Sequence, residues 1–371
     1  MNGVGRCRLD TRLRIIRMGE CSSTAHSYHP ATVTAPEEEP MFKTRIVVFA
    51  ALVPLVLHGC AVAPPNRTLS PAVAAAVQPV DVRIGIRQPE LYAKFELSAI
   101  SNGAVACGIV PGIGILLAAA CGGLMGAMDA TVNAQRAKEA DELVRPLKDT
   151  VIDVKHDEMF TNSISTSLRG IPSMQYASLQ LTKTVDDKAY EEIFRSSSSG
   201  AVMFVNLDYH LSIDFSTLEV SAAGLLFPRS VAARTATGKP PQLSEDTKGK
   251  PLMAHEAVYR ADIVYRASLP KTAETAGGNI EAWKANNGRL LRAALEDGGR
   301  QVAQLLAEEM QRAPGAEQTV LGTAEFAKGQ TGQVLRSQGA TQLFRAPNGA
   351  LVYKTTVSPP AGQAASAAMA Q

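Results

Sequence analysis

Apolar and polar residues alternate strictly from Val80, with Val80, Val82, Ile84 and Ile86 on one face and Asp81, Arg83, Gly85 and Arg87 on the other. That period of two predicts a half-buried strand. Gln88-Pro89-Glu90 breaks it, and alternation resumes through Leu91, Ala93, Phe95, Leu97 and Ala99, which predicts a hairpin with a helix as the alternative. The clearest strand runs from Met203 through Val205, Leu207, Tyr209 and Leu211 to Ile213, with Asn206, Asp208, His210, Ser212 and Asp214 on a face expected to be solvated. A turn near Ser216 leads to a partner strand at Leu218–Phe227, and Ala257–Leu269 supplies a third meander strand. Met174–Leu181 is a further short strand.

Helical spacing separates these strands. A narrow stripe marks Asp129–Val144, ended or kinked by Pro146. Phe160, Ile164 and Leu168 mark a helix from Asp157, read as its N-cap, to a stop at Gly170. Asp186–Arg195 is a short helix with acidic residues in its first turn, and Ser196–Gly200 a loop. After a loop holding Gly277 and Gly278 and a turn around Trp283, Arg289–Arg312 forms a long amphipathic helix that should cover one sheet face, with a bend expected at Gly298-Gly299. Arg229–Pro251 is expected to be a mobile loop, and Asn348-Gly349 predicts a hairpin turn between Thr341–Arg345 and Ala350–Thr355. The fold class is therefore α+β: a mostly antiparallel sheet covered by helices, preceded by a Gly-rich apolar helical hairpin segment.

That segment is the oddest part of the pattern, because no charged residue occurs from Leu97 to Met128. Within 103–128, Gly108 and Gly112 are four apart, as are Gly122 and Gly126, the spacing that lets helix backbones pack closely. Pro111, Gly112 and Gly114 interrupt the run and favour a helical hairpin over a single span. Three readings stay open: a membrane-contacting or oligomer-forming element, a Gly/Ala-rich buried segment, and a true span. A hairpin turning at Gly114 would bring Cys107 and Cys121 together as a possible disulfide; one straight helix would hold them about 21 Å apart.

Charge and chemistry narrow the function classes. The 371-residue chain carries a formal charge of +2, and the part after Cys60 is close to neutral, without the basic excess of a nucleic-acid binder. Cys7 and Cys21 fall in the leader, so Cys107 and Cys121 are the remaining thiols and no disulfide framework exists. There is no phosphate-binding glycine loop and no nucleophile elbow. His255-Glu256 lacks the second His of a zinc helix, Tyr259 standing in its place. His210 with Asp208 and Asp214 reads as an ordinary solvated sheet face, with a catalytic or metal role as the alternative. The chain is expected to be neither an enzyme nor the holder of a cofactor or metal.

Location comes from Met41–Cys60, MFKTRIVVFAALVPLVLHGC. Lys43 and Arg45 form a basic n-region and Ile46–Leu57 an apolar h-region too short to span a bilayer. Leu57-His58-Gly59-Cys60 resembles the lipobox of bacterial lipoproteins, matching at Gly59 and Cys60 and departing at His58. The resemblance implies lipidation of Cys60 with palmitate-type chains, residence in the cell envelope and, since Ala61 rather than Asp follows, an outer-membrane position facing the periplasm. Residues 1–40 are expected to lie upstream of the working start, and 61–78 to form a flexible tether. A body over 79–313, a hairpin region over 314–357 and a disordered tail over 358–371 follow. The order of elements from Asp157 to Phe227, with Ala201-Val202-Met203-Phe204-Val205, resembles the small α/β domain of the TolB N-terminal and curli-secretion envelope lipoproteins. That likeness implies a binding or assembly adaptor with an unknown envelope protein as partner and no nucleic acid. The alternative is a homo-oligomeric, membrane-perturbing or pore-type lipoprotein using the Gly-rich segment.

Overall fold

Burial on both sides of a sheet shapes this chain, and the elements are ordered to provide it. The computed structural model describes residues 66–96 and 126–357. Helix α1 (Pro71–Ala76) is capped by Ser70. It precedes β1 (Val80–Ile86), the two-residue β2 (Tyr92–Ala93), α2 (Gly126–Thr150) and α3 (His156–Arg169). Then come β3 (Tyr176–Thr182), α4 (Asp187–Ser196), β4 (Ala201–Leu211), β5 (Thr217–Pro228) and α5 (Val231–Ala236). The chain continues through β6 (Tyr259–Ser268), α6 (Ala276–Gln311), β7 (Gly322–Ala327), β8 (Gln330–Gln338), β9 (Thr341–Arg345) and β10 (Leu351–Thr356).

The strands form one sheet in the order β3-β1-β4-β5-β6-β10-β9-β8-β7, with β2 beside β4. The α+β class is as expected, and β4, β5 and β6 form the antiparallel meander. In the first half, however, β1 pairs parallel with both β3 and β4, because helical crossovers separate these strands. Leu91 and its neighbours do not fold back on β1. β2 instead pairs parallel with the far end of β4, Tyr92 opposite His210.

One face of the sheet, carrying Val80, Val82, Ile84, Met203, Val205, Tyr209, Val220 and Ile263, packs against α2, α3 and α6 in the main core. Gly298 and Gly299 permit this approach rather than bending α6. A Cβ on Gly298 would lie 2.7 Å from Val220 Cγ2, and one on Gly299 2.9 Å from Phe160 Cδ1. The break in α6 falls earlier, at Ala285–Gly288, where Asn286, Asn287 and Gly288 adopt positive φ, which Asn and Gly tolerate best. Trp283 and the glycines expected in a loop, Gly277 and Gly278, therefore belong to a helical first leg capped by Thr275.

The opposite face is covered too. Tyr190 and Phe194 of α4 pack on Val202, Phe204, Leu225 and Phe227, and Val264, Phe326, Val334, Phe344 and Val352 form a third cluster among the last strands.

Four further expectations are corrected. Pro146 lies inside α2, which runs on to Thr150 because Val144, Leu147 and Val151 continue its buried stripe. Asp157 sits in the first turn of α3, whose N-cap is Lys155. The stretch 229–251 holds α5, capped by Ser230, and a 3-10 turn at Glu245–Thr247. The supposed tether is docked from Asn66 onward: Asn66 Nδ2 donates to Gly349 O at 2.7 Å, Arg67 and Arg260 form a backbone bridge, and Leu69 and Val77 are buried.

Candidate functional site

Register places one polar row across the sheet at the C-terminal end of β4. Tyr92 of β2, His210 of β4, Glu219 of β5, Arg266 of β6 and Lys354 of β10 are successive cross-strand partners. Opposite charges facing each other across strands attract. Here they also leave water: His210 is 2% exposed and Glu219 7%. The face expected to be solvated is thus closed around His210, because β2 lies alongside it and Arg266 reaches over Glu219.

Both ring nitrogens of His210 meet carboxylates, Nδ1 at 2.7 Å from Asp208 Oδ2 and Nε2 at 2.9 Å from Glu219 Oε1. Only the imidazolium has two N–H donors to satisfy that geometry. Glu219 also accepts from Lys94 Nζ at 3.1 Å and from Arg266, while the Tyr92 hydroxyl donates to Asp208 at 2.9 Å, its ring centroid 5.3 Å from that of His210. Burial by itself would lower the His210 pKa, but hydrogen bonds to Asp208 and Glu219 reverse this and leave it above the ordinary value. Burial alone would raise Glu219; the His210 hydrogen bond and the charges of Arg266 and Lys94 outweigh it and hold the carboxyl far below the usual range. Burial, then the Asp208 charge, pushes the Tyr92 hydroxyl up, so it remains a donor.

Chemically the cluster is closed on itself. The imidazolium has no lone pair with which to take a substrate proton or bind a metal, and both carboxylates accept from several donors. What it does is fasten β2: Tyr92 is tied to Asp208, Lys94 to Glu219, and the Lys94 amide donates to Leu211 O at 2.9 Å. The protonated His210 contributes stability that is complete below the unfolded histidine value of about 6.5 and is lost as pH rises through its higher folded value. Glu219 contributes above the ordinary glutamate range and is lost only as pH falls through its depressed folded value. Hydrogen exchange at 92–96, corrected for intrinsic rates, should therefore show stronger protection at mildly acid than at alkaline pH. A flat profile would contradict the imidazolium assignment.

Asp214 lies outside this cluster. It organises the β4–β5 turn by accepting from Ser212 Oγ at 2.6 Å and from the Ser216 amide at 3.1 Å. His255 sits in a 3-10 turn, Ala254–Glu256, and not on a zinc-binding helix. Among the described residues no group of three or more His, Cys, Asp or Glu side chains is placed to hold a metal ion. A cleft of about 390 Å³ at the end of α6 is lined by Glu308, Glu309, Arg312, Gln318, Arg336 and Leu343. There the buried Glu309 is shared by Arg312 at 2.8 Å and Arg345 at 3.0 Å, which joins α6 to the last hairpin.

Cys60, Cys107, Cys121, Gly108, Gly112 and Gly122 lie outside the described residues, as do the signal-peptide stretch and the tail from 358. Gly126 is the first residue of α2. Among the described residues no helix is long and apolar enough to cross a membrane. Sequence reading missed Tyr92, Lys94, Glu219 and Arg266. The available signal was the single acidic residue in the otherwise uncharged Leu218–Phe227, which a hairpin register sets opposite His210. No family model and no curated protein matches the chain.

Proposed function

We propose that this is a lipid-anchored protein of the bacterial envelope, held at the outer membrane by acyl chains on Cys60 and facing the periplasm, whose α+β body serves as a binding or assembly adaptor. The observation that carries the reading is the lipobox-like Met41–Cys60. A non-catalytic role is supported by the His210 cluster, whose donors and acceptors are consumed by one another. Intact-mass analysis of membrane-extracted protein should find a chain beginning at Cys60 and carrying acyl groups. The Cys60→Ala variant should lose both the processing and the membrane retention. Unchanged processing and retention in Cys60→Ala would refute the anchor, and co-purification of a turnover activity with the folded body would refute the adaptor.

A further inference from the structure

If Cys60 is lipidated, as proposed above, the distance from anchor to body is set by where the fold begins. The described residues of the body begin at Asn66, and five residues, 61–65, can span at most about 20 Å. The pole of the body bearing Asn66 therefore stays within about 20 Å of the headgroups. That pole is made by the starts of β1, β4, β6 and β10 together with α1 and α5. Arg67, with its backbone bridged to Arg260, is exposed there. The Lys239 amide donates to Arg234 O at 2.8 Å, which sets Lys239 beside the end of α5. Arg67 and the stretch 229–256 together carry six basic residues against three acidic ones. Two apolar side chains of the same stretch face solvent, Val231 at 60% and Met253 at 40% exposure.

We propose that this pole is a membrane-contact surface whose partner is an anionic phospholipid bilayer, with Arg67, Arg234 and Lys239 meeting phosphate headgroups and Val231 and Met253 lying at the interface. The charge balance selects the partner. Basic side chains near an anionic leaflet are attracted over roughly a Debye length, about 8–10 Å at ordinary ionic strength, and a link no longer than about 20 Å lets the pole approach to that range. The contact fixes the orientation of the body, so that β2 and the β4–β5 turn point away from the bilayer.

The test uses the full chain carrying Cys60→Ala, so that acylation plays no part, and sedimentation with vesicles of phosphatidylcholine alone or mixed with phosphatidylglycerol. Binding to the neutral vesicles measures what the apolar residues 46–57 contribute; the increment from phosphatidylglycerol measures the surface. That increment should disappear in high salt and fall about fivefold for each charge removed by Arg67→Gln or Lys239→Gln. Lys155→Gln and Lys188→Gln, on exposed side chains at the opposite pole, should leave it unchanged. No increment, or an equal loss in both pairs of variants, overturns the proposal without touching the mass result on Cys60. Loss confined to Arg67→Gln and Lys239→Gln, with circular dichroism unaltered, supports it.

Discussion

Replacing Glu219 by leucine is expected to destabilise the fold by about 3–5 kcal/mol, the scale for removing one partner of a buried ion pair. Glu219 is the acceptor on which His210, Lys94 and Arg266 converge. Leucine would leave an imidazolium that is almost fully buried facing hydrocarbon, and His210 would then lose its proton and one of its two hydrogen bonds. Urea denaturation followed by the fluorescence of Trp283, the one tryptophan and a fully buried one, measures the loss directly. Glu219→Gln, which keeps an acceptor without the charge, should fall between wild type and leucine. A loss below about 1 kcal/mol for leucine, the scale of a surface ion pair, would mean that the cluster is far wetter than its geometry implies.

Trp283→Ala should cost a comparable amount, about 3–5 kcal/mol, as for other large aromatic side chains removed from a core. Two effects add here. The indole fills space in the main core, and its Nε1 donates to Phe215 O at 2.7 Å. Phe215 has φ 59°, a left-handed conformation that a non-glycine residue adopts only when its surroundings hold it. Trp283 and Asn279, whose Nδ2 donates to Asp214 O at 2.9 Å, provide that hold from the first leg of α6. Trp283→Phe preserves most of the volume and loses the N–H, so it should cost about 1 kcal/mol. Equal losses for alanine and phenylalanine, measured by circular dichroism in urea, would show that cavity formation contributes little.

Periodicity served well where one face of an element is apolar and the other polar. The Met203 face of β4, the Phe160-Ile164-Leu168 stripe of α3 and the Asn348-Gly349 hairpin were legible for that reason, and so was the existence of β1, although its Asp81 and Gly85 face is buried as well. It failed where polarity is not exposure. Asn206, Asp208 and His210 alternate like a wet face, yet His210 is enclosed by partners from β2, β5 and β6, up to 118 residues away in the case of Tyr92. Long-range pairing of this kind leaves no local trace. β7 and β8 escaped because an outlying hairpin buries few residues, chiefly Phe326, Val334 and Leu335, and its remaining positions are polar. Pro146 misled in the other direction, since a buried stripe on both sides of it outweighed the lost backbone hydrogen bond.

The strand β4 also works as a measuring rod. Its eleven residues, at about 3.3 Å per residue, set some 33 Å between its two ends. Asn66 is fixed near the first end, through the bridge from Arg67 to Arg260. At the second, the Glu96 carbonyl accepts from Arg136 of α2 at 2.7 Å, which fixes Glu96 against that helix. Asn66 and Glu96 are therefore held at opposite ends of β4. Asn66 and Glu96 thus stand about the length of β4 apart, so that a substitution at one leaves the contacts of the other undisturbed.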